Sequence, residues 1–378
     1  MRLFSDVSQF IRDPWLRYAF HLAERGRGTT HPNPLVGCVV VADEVVVGEG
    51  FHARAGEPHA EAVALADAGE RARGATVYVT LEPCDHYGRT PPCTDAIIEA
   101  GVGRVVIGMR DPNPGVSGGG AEKLREAGVE VTFAEDATPF AEQNEAWLVW
   151  LQKGRPFVRA KVALSLDGHP AFEEGHRAAI TGAAGAEVTR VLRARSDAVL
   201  VGSATVAADD PALTVRDSDG RLADRQPLRV VLVRTNVPPF ASRVLSDDAA
   251  PSIVLLADDA PVDADALVGR GLDVRVYRSE HGLHGALRTL GELPVLDLLV
   301  EPGPRLLTSL WVEDLLDELT LVTAGGMAGN DALPLFLGGA ERIGGRLVHS
   351  MRALEAGVVG DVAVNVWQRV VREVESDV

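Results

Sequence analysis

Cysteine is scarce in this chain: Cys38, Cys84 and Cys93 are the only three in 378 residues. Three is neither an even number nor a dense one, which excludes a secreted fold stapled by disulfides. Long apolar runs are missing as well. The valine-rich stretch GCVVVADEVVVGEG breaks at Asp43 and Glu44, well short of the roughly 18 residues that would span a bilayer, so no membrane association is expected. The opening MRLFSDVSQFIRDPW has no apolar signal core, and the expected location is a reducing cytoplasm. Positive charge is short too, with 37 Lys and Arg against 54 Asp and Glu and a net charge of −17. Nucleic-acid binding draws on clustered cations to displace counterions, so a polyanion is not the expected partner and a small molecule is. Net charge says little about one pocket, however, and a locally basic site for a phosphate is compatible with it. No G-x-G-x-x-G follows a strand-like run, which leaves a Rossmann dinucleotide site unsupported, and neither a short-period repeat nor a long low-complexity tract is present.

What the sequence does contain is alternation. Strand-like and helix-like segments follow one another in VGCVVV, EAVALADAGERA, ATVYVT, CTDAIIEAG, VGRVVIGM and AEKLREAGVEVTF, the pattern of an α/β fold. At roughly 150 residues per domain the length predicts two domains. AEQNEAWLVWLQKG reads as one helix closed by Gly154, and RPFVRAKVALSLDG then opens a fresh strand. The boundary is therefore placed near Gly154, giving domains 1–154 and 155–378. The second half repeats the alternation in DAVLVG, LRVVLV, PSIVLLA, LDLLVEPG and ELTLVTAG, with RDSDGRLADRQP as a polar surface loop.

Two of the three cysteines fall within LEPCDHYGRTPPC, where they could form a disulfide, a metal site or two core thiols. Upstream, GEPHAEAVAL brings His59 and Glu61 together; Pro58 and the apolar positions after it put His59 at the start of a helix. CTDAIIEAG likewise starts a helix at Cys93 and stops it at Gly101. Two facing helix N-termini favour thiolates and a metal-bound hydroxide. His59, Cys84 and Cys93 would supply three zinc ligands and leave the fourth position to water, the open arrangement of a catalytic site. Glu61 is the proton shuttle, although residues two apart share a face only in an irregular first turn. H-x-E followed by P-C…C is the zinc deaminase signature, in which hydroxide attacks an amidine-like ring carbon and the Glu moves protons toward departing ammonia. A structural zinc is the competing reading of the same ligands. Cys38, in LVGCVVV, reads as a small core hydrophobe.

Eight residues, DHYGRTPP, separate the cysteines where a zinc deaminase usually has two. That insertion, with GTTHPNPLVGCVVV and GFHARAGEPHAE before it and DPNP after it, closely resembles the bifunctional deaminase/reductase of riboflavin biosynthesis. KVALSLDG, ITG, LRARSDAVLVGSATVAADDPALTVR and DELTLV are similar to the family's reductase domain, so the resemblance covers essentially the whole chain. It implies an α/β protein with an N-terminal cytidine-deaminase-like three-layer domain and a C-terminal dihydrofolate-reductase-like domain. It further implies zinc and NADPH as cofactors. The implied substrate is a phosphoribosylated pyrimidine, 2,5-diamino-6-(5-phosphoribosylamino)pyrimidin-4-one, deaminated and then reduced at its ribosyl group to ribityl. A homo-oligomer is expected.

Carried over by motif, Glu61 and Asp209 are catalytic, Asn33 and His52 hold the pyrimidine, and His86 and Arg89 lie near the ribose phosphate. A His and an Arg on a loop beside the metal also suit an anionic tail on their own chemistry. In the second domain the resemblance assigns Lys161, Arg193, Leu213 and Arg216 to substrate, and Thr181, Asp209, Glu301 and Gly303 to cofactor. Read without it, Asn33 is a turn residue between prolines, His52 a partly buried imidazole and Lys161 a solvated edge residue. Alternation in KVALSLDG sends Val162, Leu164 and Leu166 to one face and Lys161, Ser165 and Asp167 to the other. The chain also departs from the family pattern. Arg177 and Ala179 stand where a small polar residue and Trp are expected, EPGP (301–304) replaces a Glu-Gly-Gly type loop, and TAGGMAGN (323–330) replaces an Ala-Pro-Lys-Leu-Leu-Gly type segment. Three readings therefore compete: a working bifunctional enzyme, a deaminase with a degenerate second domain, and a nucleic-acid deaminase, which the acidic charge and the second domain disfavour.

Overall fold

The computed structural model describes residues 6–86, 91–113, 119–170, 180–329, 332–337 and 351–369. The chain divides into two compact units, Met1–Gln152 and Lys153–Val378.

The described strands of the first unit are β1 (Gly37–Ala42), β2 (Val45–Phe51), β3 (Thr76–Leu81), β4 (Arg104–Met109) and β5 (Glu130–Phe133), joined in one sheet in the order β2-β1-β3-β4-β5. β1 runs antiparallel to both neighbours, whereas β3, β4 and β5 are parallel. Its helices are α1 (Pro14–Glu24), α2 (Ala60–Ala68), α3 (Cys93–Glu99), α4 (Gly120–Glu126), α5 (Thr138–Gln143) and α6 (Glu145–Lys153). The period of two along a strand decides the layering. Cys38 and Val40 pack with Ala60 and Ala64 of α2, Ile97 of α3 and Leu124 of α4. Val39 and Val41, between and beyond them, pack with Ala19 and Leu22 of α1 on the opposite face. Two glycines of β2 let α2 lie directly on the sheet: a Cβ on Gly48 or Gly50 would come within 2.3 Å of Ala64 O or 2.5 Å of Ala60 O. This close approach fixes where the first turn of α2, and His59 before it, can sit.

The segment read as one helix up to Gly154 is two, α5 and α6, parted at Asn144. The Asn144 side chain is committed to the backbone of Leu35, accepting from its N–H (2.8 Å) and donating to its carbonyl (3.1 Å). That pairing ties the break to the segment just after Asn33.

In the second unit the described strands are β6 (Phe157–Leu164), β7 (Ala198–Gly202), β8 (Leu228–Val233), β9 (Ser252–Ala257), β10 (Asp273–Tyr277), β11 (Asp297–Val300), β12 (Glu318–Ala324), β13 (Met351–Val359) and β14 (Val362–Arg369). Their order is β10-β9-β8-β7-β11-β6-β12-β14-β13. From β10 to β12 all neighbours are parallel, and the β13–β14 hairpin then joins antiparallel to β12. Its helices are α7 (Gly182–Arg195), α8 (Ser203–Asp209), α9 (Arg243–Ser246), α10 (Ala264–Val268), α11 (Gly282–Gly291) and α12 (Pro304–Val312). The valine and leucine runs of β7, β8, β9 and β11 are buried almost throughout, as strands covered on both faces must be.

SATVAAD after β7 forms helix α8, so ADDPALTVR begins on its last two residues and runs on past the left-handed Asp210 (φ 41°). One local expectation needs correcting. Leu166 does not share the core face with Val162 and Leu164: β6 ends at Leu164, the chain turns at Gly168 (φ 86°), and Leu166 is exposed. In an open parallel sheet, ligands generally bind beyond the carboxyl ends of the strands.

Candidate active sites of the two units

His59 is the N-cap of α2, with extended backbone (φ −70°, ψ 160°), so its ring leaves the helix before the helix begins. Glu61 follows in the first turn and is buried. This is the irregular geometry that lets two residues, two apart, point the same way. Beyond β3, the segment carrying Cys84 lies against the start of α3: Thr94 N donates to Cys84 O (3.3 Å) and Cys93 N approaches Cys84 Sγ (3.4 Å). His59 Nδ1 is 3.2 Å from Cys93 Sγ and 3.5 Å from Cys84 Sγ, and the three ligand atoms all lie within 4.8 Å of one another. Tetrahedral zinc with bonds of about 2.1 Å to nitrogen and about 2.3 Å to sulfur requires N to S separations of roughly 3.5 Å, so this triangle fits the ion. The hydrogen bond between the two sulfurs holds Cys84 down at about 4 and, with burial, pushes Cys93 up. A thiolate at Cys84 is thus available at neutral pH, as metal binding requires.

Burial, reinforced by the negative charge of Cys84, raises the Glu61 carboxyl to about 7. Glu61 is also within hydrogen-bonding reach of Cys93, against the ligand triangle. Beneath it, Cys38 is fully buried among apolar residues and its thiol is pushed well up by that burial. His52 lies edge-on to His59 with ring centroids 5.5 Å apart. With Nδ1–H donating to Pro58 O (3.2 Å), His52 Nε2 accepts from Asn33 Nδ2 (2.9 Å). Burial lowers the pKa of His52, which favours this neutral form. His86 is exposed, two residues after Cys84. Arg89 lies outside the described residues, as do Arg177 and Ala179.

Sequence reasoning missed the supports of this site. Glu82 is buried and accepts from Asp111 N (3.3 Å) and from Ala121 N (3.0 Å) of α4. Asp85 accepts from Thr94 Oγ1 (2.9 Å) and from Lys123 Nζ (2.5 Å), and the same ammonium reaches Asp95 (2.7 Å). The position of Glu82 in LEPC was a usable signal. Nothing in the sequence ties Lys123 to residues 28 and more positions upstream.

In the second unit, register builds the cluster. Val300 pairs with Ala160, so Glu301, the next residue, stands level with Lys161 in the adjoining strand. Arg193 of α7 grips Glu301 with both arms of its fork, Nε to Oε1 at 2.6 Å and Nη2 to Oε2 at 2.9 Å, while Nη1 donates to Thr214 O (3.2 Å). Burial lowers the pKa of Lys161, and the Glu301 carboxylate offsets part of that. Asp209 closes α8, and Gly303 is the N-cap of α12, its Cα facing Thr205 of α8. Leu213 has φ 53° and a wholly buried side chain, so it can offer a ligand only its backbone. Thr181 is buried at the N-cap of α7, packed on Gly185. Arg216 is exposed and donates to Gly220 O (2.7 Å). Asp167, at the turn after β6, accepts from Ser165 Oγ (2.5 Å), Ala328 N (2.9 Å) and Gly329 N (2.7 Å), which pins the loop after β12 to that turn.

Comparison with known proteins accounts for both units. A family model for the cytidine and deoxycytidylate deaminase zinc-binding region matches residues 12–109, and one for the RibD C-terminal domain matches residues 156–358. The chain is 43% identical over 315 residues to the riboflavin biosynthesis protein RibD of Aquifex aeolicus, covering 83% of this chain and 87% of that protein. It is 41% identical over 327 residues to its counterpart in Escherichia coli, covering 84% and 89%. Among solved structures, Acinetobacter baumannii RibD superposes with a TM-score of 0.82 at 36% identity, covering 96% of this chain and 99% of that one. A diaminohydroxyphosphoribosylaminopyrimidine deaminase/5-amino-6-(5-phosphoribosylamino)uracil reductase from Thermotoga maritima gives 0.80 at 33% identity, with the same coverage. Among the described residues no helix is long and apolar enough to cross a membrane.

Proposed function

The chain belongs to the RibD family, the bifunctional deaminase/reductases of riboflavin biosynthesis, and from that premise we propose that it deaminates 2,5-diamino-6-(5-phosphoribosylamino)pyrimidin-4-one and then reduces the ribosyl group with NADPH. The observation that carries the first step is the ligand triangle of His59, Cys84 and Cys93 with buried Glu61 against it. A zinc ion bound by His59, Cys84 and Cys93 would supply a Lewis acid and make a water nucleophilic near neutral pH. Glu61 is placed to take a proton from the attacking water and to return it to the departing amine, so that ring C–NH2 and H2O become ring C=O and NH3. A carboxyl that burial holds near neutrality suits both directions of transfer. Because Asn33 Nδ2 is committed to His52, Asn33 Oδ1 is the atom that accepts from an exocyclic N–H of the pyrimidine. His86 and Arg89 take the ribose phosphate.

For the second step, NADPH bound in the second unit would supply a hydride to C1′ of the ribose as the bond from C1′ to the ring oxygen breaks and that oxygen takes a proton to become a hydroxyl. Lys161 and Arg193 present two cations against one carboxylate, Glu301, a surplus that suits an oxygen-rich, phosphorylated ligand. Asp209 contacts the cofactor from the end of α8, with Leu213 and Arg216 on the segment that follows. Thr181, Glu301 and Gly303 complete the cofactor side. Pro304 after Gly303 removes one N–H from the start of α12, yet the first turn keeps other donors for a phosphate, since Pro at that position takes away a group that has no partner within the helix. Three free cysteines support work in a reducing cytoplasm.

The test is to supply the diamino substrate with and without NADPH and separate the products. Ammonia and the deaminated ribosyl intermediate are expected without NADPH, and the ribityl product with it. Deamination that is never followed by reduction would leave a deaminase with a degenerate second unit, the reading that the EPGP replacement favours.

A further inference from the structure

Two carboxylates follow the two cysteines in the chain, Asp85 directly after Cys84 and Asp95 two residues after Cys93. Both turn to one ammonium. Lys123 Nζ is 2.5 Å from Asp85 Oδ1 and 2.7 Å from Asp95 Oδ1, and Thr94 Oγ1 donates to the same Asp85 oxygen (2.9 Å). The helix that carries Lys123 is itself seated on the cysteine segment. A Cβ on Gly120 would lie 1.9 Å from Pro83 O, and Ala121 N donates to Glu82 Oε1 (3.0 Å). Residues 82–85, the start of α3 and the start of α4 thus form one block in which Lys123 is the cation that joins the two cysteine-bearing segments.

We propose that Lys123 is a positioning residue for the metal centre, holding Cys84 and Cys93 at ligand spacing by bridging Asp85 and Asp95. The proposal rests on the zinc reading of the site. Without the ammonium the two carboxylates repel each other, and the segments they belong to separate. Groups that orient metal ligands from outside the coordination sphere are worth about 10- to 100-fold in metal affinity.

The sign of the effect separates this role from a simple field effect. An ammonium near a cation site opposes the metal, so deleting it on Coulombic grounds alone would tighten zinc binding. Loss of spacing weakens it. Zinc affinity is measured by competition with a chromogenic chelator on the full chain, wild type first, together with the melting temperature of the metal-stripped protein. Lys123→Met should weaken zinc binding by about 10-fold or more, and Lys123→Arg, which keeps charge and reach, should restore most of it. In an Asp85→Asn/Asp95→Asn background, where there is neither bridge nor repulsion, adding Lys123→Met should change affinity by less than about 3-fold. Wild type without zinc would defeat the zinc reading and the proposal together. Wild type with zinc and a Lys123→Met affinity that is unchanged or tighter would overturn the proposal alone. So would an equal loss in the Asn background, or a metal-stripped Lys123→Met protein already unfolded at the assay temperature with Lys123→Arg no better.

Discussion

Replacing Glu301 by Gln removes the carboxylate that stands between two largely buried cations, Lys161 and Arg193. Arg193 and Glu301 side chains are 18% and 19% exposed, and their contact is bidentate at 2.6 and 2.9 Å, so the pair counts as buried rather than as a surface bridge. Deleting one partner of such a pair costs about 3–5 kcal/mol, because the other charge is left without compensation. Gln keeps an oxygen for one arm of Arg193, which places the expectation at the low end, about 3 kcal/mol. For a unit of this size each kcal/mol moves the melting temperature by about 2–4 °C, so calorimetry at pH 7 should show a fall of roughly 6–12 °C. The pH dependence has a defined sign. Burial pushes the Glu301 carboxyl up, but the charge and hydrogen bonds of Arg193, aided by Lys161, bring it below the ordinary 4.5. A carboxyl with a depressed folded value contributes stability that is fully present above 4.5 and is lost as pH falls through the depressed value. The gap between wild type and Glu301→Gln should therefore be constant from pH 7 to 5 and narrow in stronger acid. A fall of less than about 2 °C at pH 7 would refute the reasoning, since Lys161 and Arg193 would then not depend on this carboxylate.

Three further outcomes are expected. Glu61→Gln should retain zinc by elemental analysis and lose ammonia release by at least about 100-fold, the scale of a missing acid/base group, and near-normal turnover would remove Glu61 from the chemistry. Arg89→Ala should raise KM for the phosphorylated substrate about 10-fold or more while leaving zinc content alone, as loss of a charge-assisted contact of about 1.5–3 kcal/mol requires. NADPH oxidation with the deaminated intermediate, followed at about 340 nm, should stop in both Lys161→Ala and Asp209→Ala; oxidation that persists in either clears that residue of its role.

The parts of the site that were legible in the sequence are those that lie close together along the chain or in a fixed motif order. His59 and Glu61 sit in one helical turn, and Cys84 and Cys93 border one insertion, so spacing alone brought out the ligand set. The strands were legible because buried parallel strands read as apolar runs, as in LRVVLV and SIVLLA. The break at Asn144 was not legible, since a good helical pattern continues through it and the cause is a pair of hydrogen bonds to Leu35, 109 residues away. Lys123 was missed for the same reason: a lysine in AEKLREAG looks like any solvated helix residue until α4 is seated on Pro83 and both carboxylates arrive.

Lys161 shows how a fold can hide a site in a strand. Two residues before it on the same face is Arg159, wholly buried, whose guanidinium binds Asp297 at 3.0 Å and also Glu318, the first residues of β11 and β12. A buried ion network of this kind is weak evidence for stability, because desolvation opposes its Coulombic gain. Its use is geometric. It joins the three neighbouring strands β11, β6 and β12 at one end, and so fixes their relative register. A slip of one residue would turn every side chain of β6 to the other face, sending Lys161 into the apolar cluster of Val158, Ala160 and Val162. With the register held, Lys161 comes level with Glu301, and Glu301 meets Arg193. The two ends of the short strand β11 thus divide the work. At its amino end Arg159 faces two carboxylates, which locks the sheet; just past its carboxyl end one carboxylate faces two cations, which leaves positive charge for a ligand. A chain with a net charge of −17 can therefore carry a locally positive site, as the proposed phosphorylated substrate requires, because the sign there is set by Lys161, Glu301 and Arg193 and not by the total.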